Sequence, residues 1–177
     1  MTRPILRTRA PFARAALDKV ERLLEVLDTF HSDPVLGGAF VLHGGTALNV
    51  FLDDLPRLSV DIDRLYVRSP DMDGMLGDIP AVHARMREVT GKLGYAIRAG
   101  PDEHAGRTYR LHYGTESLKI DVNYLARVPL LEPLPLMCAH AEPPITYPIL
   151  DTIELTAGKL KALVARVAAR DLYDLSR

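Results

Sequence analysis

Residues 41–67 read VLHGGTALNVFLDDLPRLSVDIDRLYV, and this stretch decides the fold class. An apolar run ends in a Gly-Gly pair, a short helical pattern follows, and an alternating run then carries two aspartates. Side chains alternate along a strand, so Asp61 and Asp63 share one face while Val60 and Ile62 share the other. Because two neighbouring carboxylates repel each other, the sequence predicts that this face meets a cation rather than a core.

The elements around this stretch predict a domain of the α/β or α+β class with a mixed sheet. Six of the thirteen prolines fall between Val128 and Pro148, which predicts a connector rather than a core element. Asp151 and Glu154 form a capping-box-like pair at the start of the last helix. Residue spacing predicts helices from Pro11 to about residue 31, at 46–52, at 80–93 and from Asp151 onward, and strands at 39–42, 60–67, 94–99, 107–113 and 117–125.

The composition fits a single domain over residues 1–177, with a C-terminal helical part at about 151–177. Hydrophobic residues make up 47% of the chain, charged residues 25%, and the formal net charge is −1. A near-neutral chain has no general polycationic surface, so any nucleic-acid contact must come from a local patch.

One local patch is the basic N-terminal arm, residues 1–10. The first fourteen residues hold Arg3, Arg7, Arg9 and Arg14 and no acidic residue. Such an arm either meets RNA phosphates or stays solvated, and the sequence leaves both readings open.

Cysteine usage and hydropathy bear on location. Cys138 is the single cysteine, which excludes an intramolecular disulfide and a cysteine zinc site and fits a reducing cytoplasm. No run approaches the roughly 20 apolar residues that span a bilayer, and the N-terminus lacks the apolar segment of a secretory signal. We therefore expect a cytoplasmic protein without a membrane partner.

A second polar strand face predicts a third carboxylate. In SLKIDVNYL, residues 117–125, Lys119, Asp121 and Asn123 alternate with apolar residues. If this strand neighbours the first with polar faces matched, Asp121 joins Asp61 and Asp63. Carboxylates in this number suit a hard cation, and Mg²⁺ is commonly held by one or two carboxylates plus substrate phosphates.

The Gly-Gly pair is the second half of the predicted site. Gly44 and Gly45 lie between a strand and a short helix, where backbone N–H groups can approach a phosphate without obstruction. The pair lacks the spacing of a Walker A loop and of a dinucleotide-binding loop. Gly158 beside Lys159 in a helix suggests, in the same way, that something approaches the backbone there.

Four motifs in order resemble one family. GGTALN, R-x-S-x-D-I-D, K-L-x-A-L-x-x-R and R-D-L-Y-D-L, within residues 43–175, resemble the AbiEii/AbiGii-type nucleotidyltransferase toxins of the DNA polymerase β-like superfamily. The resemblance implies a nucleotidyltransferase fold with a mixed, mostly antiparallel sheet flanked by helices. It also implies Mg²⁺-dependent transfer of a nucleotide from an NTP to RNA, often the acceptor end of tRNA, and a cognate antitoxin.

The resemblance also assigns roles to residues. Gly44, Gly45 and Thr46 match the motif that cradles the triphosphate. Ser59, with Asp61 and Asp63, matches the metal-binding motif. The two C-terminal motifs are matched by Lys159, Arg166, Asp171 and Asp174.

Helical spacing places Lys159, Arg166 and Arg170 on one stripe, where they either contact phosphates or face solvent. Asp121 is either a third metal ligand, the base for the attacking hydroxyl, or a surface aspartate. Asp171 and Asp174 either orient the lysine or a nucleotide contact, or pair with Arg170 in the same helix.

Three cations flank the carboxylate strand. Arg57, Arg64 and Arg68 either receive phosphates or form a solvated rim. Arg64 departs from the family pattern, which has an apolar residue after D-I-D, and it is expected on the face opposite the carboxylates or at a strand edge. The sequence ends shortly after R-D-L-Y-D-L, from which we expect an acceptor surface that is either small or supplied by another chain. A protein or small-molecule acceptor, and a catalytically silent nucleotide-binding module, are the alternatives.

Overall fold

The computed structural model describes residues 3–8, 10–52, 54–101 and 106–176. Helices and strands alternate as far as the third helix, six consecutive strands follow, and two helices end the described chain. Within these ranges no helix is both long and apolar enough to cross a bilayer. The helices are α1 (Arg14–Ser32), α2 (an α-helical turn Gly44–Thr46 continued by a π-helical segment Ala47–Leu52), α3 (Met72–Lys92), α4 (Thr152–Arg166) and α5 (Ala169–Leu175). The strands are β1 (Ile5–Leu6), β2 (Phe40–His43), β3 (Asp61–Tyr66), β4 (Ala96–Ala99), β5 (Gly106–Tyr113), β6 (Glu116–Asn123), β7 (Leu134–Cys138), β8 (Ala141–Glu142) and β9 (Ile145–Ile149).

Seven strands form one mixed sheet in the order β4-β5-β6-β3-β2-β9-β7. The β3–β6 and β2–β9 pairs are parallel, and the other neighbouring strands are antiparallel. Strands β1 and β8 form a separate two-stranded sheet. The predicted α+β class, with a mixed and mostly antiparallel sheet flanked by helices, is confirmed.

One face of the main sheet holds the core beneath α1 and α3. Ile62 and Tyr66 of β3 and Ile120 of β6 are buried on this face. Arg64 lies there too, fully buried, with its guanidinium carbon 4.8 Å from the centre of the Phe30 ring of α1. Strand alternation therefore sends the carboxylates of β3 to the opposite face.

Two predicted helix starts are wrong. Helix α1 begins at Arg14, so Pro11 precedes the helix instead of lying in its first turn. Helix α3 begins at Met72, eight residues before the predicted start, and Pro80 lies inside it. The Asp71 side chain caps α3 by accepting a hydrogen bond from the Gly74 N–H, 2.7 Å away. The first two turns of α3 contain Gly74 and Gly77 and lead into Pro80, and these residues disfavour a helix in the sequence pattern.

The segment 128–148, predicted as a connector, contributes β7, β8 and most of β9. Its inner strand is part of the core, since Tyr147 and Ile149 are buried. Pro135 and Pro148 lie opposite each other in the β7–β9 pair. The two residues that lack N–H groups therefore share one position of the ladder, and β7 is an edge strand, where proline is tolerated.

The predicted capping box at the last helix is half right. The Asp151 side chain accepts a hydrogen bond from the Ile153 N–H at 2.8 Å. Glu154 does not reach back to the cap. Its carboxylate instead accepts hydrogen bonds from the N–H groups of Leu130 and Leu131, both at 3.0 Å, and so ties the proline-rich segment to α4.

The C-terminal helix is broken, contrary to the prediction. Val167 adopts a left-handed conformation with φ +49° and ends α4, and α5 starts afresh at Ala169. Arg170 therefore lies on a different helix from Lys159 and Arg166, and the predicted stripe of three cations is wrong.

The N-terminal arm is bound to the body of the protein. Strand β1 pairs with β8, and Arg9 lies outside the described residues. Within the described residues the arm is not a detached tail, because Arg3 and Arg7, like Arg14 at the start of α1, each pair with an acidic residue. A contact of the arm with RNA phosphates stays a prediction. The pairs are Arg3–Asp18 (3.0 Å), Arg7–Glu142 (2.5 Å) and Arg14–Glu21 (3.1 Å).

Candidate active site

The register of β3 and β6 brings the predicted carboxylates to one face. The two strands are parallel neighbours, with Asp63 opposite Asp121 and Asp61 opposite Lys119. From the other side, β2 places His43 opposite Asp63. Residues directly opposite each other share a sheet face, so the predicted matching of the two polar faces is confirmed.

Asp63 is at the centre of this group, and its carboxyl and the neighbouring His43 imidazole both have strongly shifted pKa values. Burial, followed by repulsion from Asp121 and Asp61, raises the pKa of Asp63 to about 6. Burial and the charge of Lys159 lower the pKa of His43 to about 4, which keeps that imidazole neutral at pH 7. A cation placed against Asp63 would relieve the repulsion that raises its pKa.

Asp121 has partners of its own. The Thr108 hydroxyl donates to its Oδ1 at 2.6 Å, and Lys119 forms an ion pair with its Oδ2. Within the described residues, no group of three or more His, Cys, Asp or Glu side chains is placed to share a metal ion. The three carboxylates thus lie on one face of the sheet. The Asp121 carboxylate is held in its position by Thr108 and Lys119.

The Gly-Gly pair forms the turn from β2 into α2, which starts earlier than predicted. Gly44 has φ +75°, and a Cβ there would collide with the Asp63 carboxylate. A Cβ on Gly45 would lie 2.9 Å from the Ser59 hydroxyl oxygen. Both glycines are therefore needed for the close approach of this turn to β3.

Substituting Gly44 by alanine tests this packing. The new Cβ meets an unfavourable φ and the Asp63 carboxylate together, so we expect the free energy of unfolding to fall by about 2 kcal/mol. The rate of nucleotide transfer should also fall, because the new Cβ displaces the Asp63 carboxylate from the proposed metal site. Urea denaturation of Gly44→Ala checks the first effect, with Gly114→Ala, at φ +54° in open space, as the control. Equal losses in the two variants would contradict a role for the approach of Asp63 to this turn.

Helix α2 is tied to its neighbours by two buried polar side chains. The Thr46 hydroxyl donates to the Asp61 carbonyl oxygen at 2.5 Å. The Asn49 amide donates to the Gly45 carbonyl oxygen at 2.8 Å and to Asp174 Oδ1 at 3.3 Å. Sequence reasoning missed Asn49; an amide inside a short apolar helix was the available signal, since it needs a buried partner.

The predicted C-terminal residues assemble into a C-terminal ion cluster, which we define as Arg57, Lys159, Arg166, Asp171 and Asp174. The Lys159 side chain is only 8% exposed, and its Nζ lies 2.7 Å from Asp174 and 3.4 Å from Asp171. Arg166 makes two hydrogen bonds to Asp171, at 2.6 and 2.7 Å. Arg57 makes two to Asp174, at 2.8 and 2.5 Å.

The two aspartates of the cluster are ionised at neutral pH. The hydrogen bond from Arg166, with further help from Lys159, lowers the pKa of Asp171 to about 2. Burial acts to raise the pKa of Asp174, but the hydrogen bonds from Arg57, Lys159 and Asn49 outweigh burial and lower it. The alternative in which either aspartate pairs with Arg170 is wrong. The aspartates hold the cations on α4 in place.

A cleft joins the carboxylate face to α4. One cavity of about 370 Å³ is lined by Gly44, Gly45, Asp63, Gly158, Lys159 and Arg166, among others. A second cavity of about 270 Å³, which shares His43, Asp63 and Asn123 with the first, is lined by Thr108 and Asp121. A Cβ at Gly158 would meet no atom within 4 Å, so this glycine leaves the first cavity open. Asp63 therefore stands at the junction of two cavities.

The three arginines that flank the carboxylate strand do not reach this cleft as free cations. Arg57 belongs to the C-terminal ion cluster, and Arg64 is buried on the opposite face of the sheet. Arg68 pairs with Asp78 at 3.0 Å. The prediction is wrong for Arg64, because a side chain buried on the core face neither receives phosphates nor forms a solvated rim. Arg57 and Arg68 are ion-paired but partly exposed, and a phosphate contact at these two residues stays a prediction.

Comparison with known proteins agrees with the geometry. No curated protein matches the chain. The family model described as nucleotidyl transferase AbiEii toxin, Type IV TA system, matches residues 25–177, which includes β3, β6 and the C-terminal ion cluster. With most of its length matched, the chain belongs to the AbiEii family of nucleotidyltransferase toxins of type IV toxin–antitoxin systems.

Proposed function

We propose that this nucleotidyltransferase toxin transfers a nucleoside monophosphate from an NTP to RNA, at the 3′ end of a tRNA, with Mg²⁺ as the metal. The observation that carries the proposal is the first cavity, which has the Asp63 carboxylate on one side and the Lys159 ammonium on the other. A metal–triphosphate complex matches this arrangement. Its metal ion binds carboxylates, and its negatively charged phosphate oxygens bind cations such as an ammonium group.

The donor set fits Mg²⁺. Asp61 and Asp63 offer two carboxylates on one strand face. Burial, followed by repulsion from Asp121 and Asp61, raises the pKa of Asp63, and a divalent cation relieves that repulsion. Mg²⁺, when bound, supplies charge that neutralises the triphosphate. We assign Asp61 and Asp63 as its ligands, with Asp121 as the third ligand or as the base.

The remaining residues bind and orient the substrates. Gly44, Gly45 and Thr46 form the turn beside the triphosphate, next to Ser59. Lys159 and Arg166 stabilise the charge that develops as pyrophosphate leaves. The acceptor hydroxyl attacks the α-phosphorus from the second cavity, which Asp121 lines, and Asp121 takes its proton if it is the base and not the third metal ligand.

The cellular setting follows from the family and from the proposed acceptor. A toxin of a toxin–antitoxin system has an antitoxin encoded with it, and a nucleotidyltransferase has a nucleotide substrate. An RNA acceptor requires a location where tRNA is abundant, so we propose the cytoplasm.

The test is a transfer assay with each α-labelled NTP in turn. Purified protein is incubated with Mg²⁺ and total RNA, beside an Asp61→Ala, Asp63→Ala double variant. We expect label on a tRNA-sized band with wild type and none with the variant. RNase treatment of the product separates an RNA acceptor from a protein one. Label that survives RNase, or pyrophosphate release without labelled RNA, would overturn the proposed acceptor.

A further inference from the structure

Three cations stand in a row on the active-site face of the sheet, and no sequence motif indicated them as a group. The register places Arg98 of β4 opposite Arg110 of β5, and Arg110 opposite Lys119 of β6. Lys119 in turn lies opposite Asp61 of β3. We call Arg98, Arg110 and Lys119 the cationic row. It runs across three strands at roughly 4.8 Å per strand and ends at a proposed metal ligand.

The row is unfavourable for the protein alone. Like charges directly opposite each other on a sheet are destabilising. Lys119 is compensated by its ion pair with Asp121. Arg98 and Arg110 are exposed, and no carboxylate in the described ranges lies within ion-pair distance of either. Two adjacent arginines that have no ion-pair partner among the described residues are the arrangement that a polyanion would neutralise.

We propose that the cationic row is the phosphate-binding track for the RNA acceptor, which enters over the β4 edge of the sheet. This inference rests on the proposed function for the identity of the acceptor. The next row on the same face is Thr108, Asp121 and Asp63, in register. A strand whose phosphates follow the cationic row therefore brings its end to Asp61 and to the second cavity.

The chemistry favours a nucleic-acid strand over a protein acceptor. A phosphodiester chain carries one charge per nucleotide at regular spacing, which suits cations at regular strand spacing. Arginine also binds phosphate with two parallel hydrogen bonds. The row includes no apolar side chain, whereas the core of a protein interface is usually enriched in aromatic residues.

Binding is measured separately from transfer. A fluorescent tRNA with a 3′-deoxy end, which cannot be extended, is titrated by anisotropy at several salt concentrations. The test variant is Arg98→Gln, Arg110→Gln. The control is Lys19→Gln, which removes one charge from α1 on the other face, and the two variants are compared per charge removed. Lys19 forms no ion pair within the described part of the chain.

We expect the test variant to bind the tRNA at least tenfold more weakly. The slope of log Kd against log salt should fall by about 1.4, that is about 0.7 for each phosphate of a single-stranded RNA that the variant no longer neutralises. The Kd of a non-hydrolysable NTP analogue should stay within twofold. In the transfer assay KM for tRNA should rise while kcat holds. Circular dichroism and the melting temperature should show a folded protein, since the change removes a repulsive pair.

Three results would overturn the proposal. An equal drop in affinity per charge removed in the control variant would show a general charge effect. Competition by polyaspartate as strong as that by tRNA, at equal charge, would show a site for any anion. If wild type labels RNA and the test variant has an unchanged KM for tRNA, the cationic row does not bind the acceptor, and the proposed function still stands. Conversely, the test variant could bind tRNA more weakly while wild type transfers no nucleotide to tRNA. In that case the proposed function is wrong and the cationic row remains a tRNA-binding surface.

Discussion

Replacing Asp63 by asparagine is expected to abolish nucleotide transfer and, at neutral pH, to stabilise the protein. Loss of a central charge from the proposed metal site should lower kcat/KM by at least about 10³-fold. An asparagine is isosteric and neutral, so it ends the repulsion from Asp61 and Asp121 that this buried carboxylate experiences. A residue retained at the expense of stability is typical of a functional site.

The pH dependence of this gain has a definite sign. The pKa of Asp63 is about 6 in the folded protein against the ordinary 3.8. A raised folded-state pKa contributes stability below about pH 4, and that contribution is lost as the pH rises through 6. A difference of about two pKa units corresponds to about 3 kcal/mol. Asp63→Asn should therefore match wild type at pH 4 and exceed it by up to about 3 kcal/mol at pH 8.

Urea denaturation at pH 4, 6 and 8, in EDTA, measures this difference. Glu132→Gln is the control, because Glu132 is exposed and should give the same small effect at each pH. Adding Mg²⁺ at pH 7 should raise the free energy of unfolding of wild type and leave the Asp63→Asn variant unchanged. A variant that is less stable than wild type at pH 8, or one that still responds to Mg²⁺, would contradict the assignment.

Local sequence rules predicted the carboxylate face because that face depends on strand alternation alone. Asp61 and Asp63 share a face in any strand, and Asp121 joins them once two polar faces are matched. The structure confirms the match with the Asp63–Asp121 register. The same alternation predicted Arg64 on the face opposite the carboxylates, with a strand edge as the alternative, and the structure confirms the opposite face.

Contacts between distant parts of the chain could not be predicted from local sequence patterns. Arg57 and Asp174 are separated by 117 residues, and nothing local indicates that they meet. The cationic row likewise exists only through the pairing of three strands, because Arg98, Arg110 and Lys119 form no motif along the chain. Proline content misled the prediction for β7 and β9, since the effect of a proline depends on whether its partner strand needs the missing N–H.

The second large effect is expected from Asp174→Ala, which should destabilise the protein by about 3–5 kcal/mol. Asp174 is buried and receives hydrogen bonds from Arg57, Lys159 and Asn49. Removing its carboxylate leaves the Lys159 ammonium and the Asn49 amide buried with fewer partners. Breaking a buried ion pair from one side costs more than the pair contributes, because the remaining charge stays desolvated.

Asp171→Ala is the matched comparison, since Asp171 is equally buried and lies on the same helix, α5. Its main partner, Arg166, has a side chain that is 48% exposed and can turn to solvent when the carboxylate is removed. Lys159 would still keep its 2.7 Å ion pair with Asp174. We therefore expect a smaller loss of unfolding free energy for Asp171→Ala, about 1–3 kcal/mol.

Urea denaturation ranks the stability of the two variants. Calorimetric titration with a non-hydrolysable NTP analogue should show the weaker binding in Asp174→Ala, where Lys159 loses its nearest ion-pair partner. Equal losses of stability and of nucleotide affinity would mean that Asp174 does not position Lys159, and that the C-terminal ion cluster serves only to dock α5.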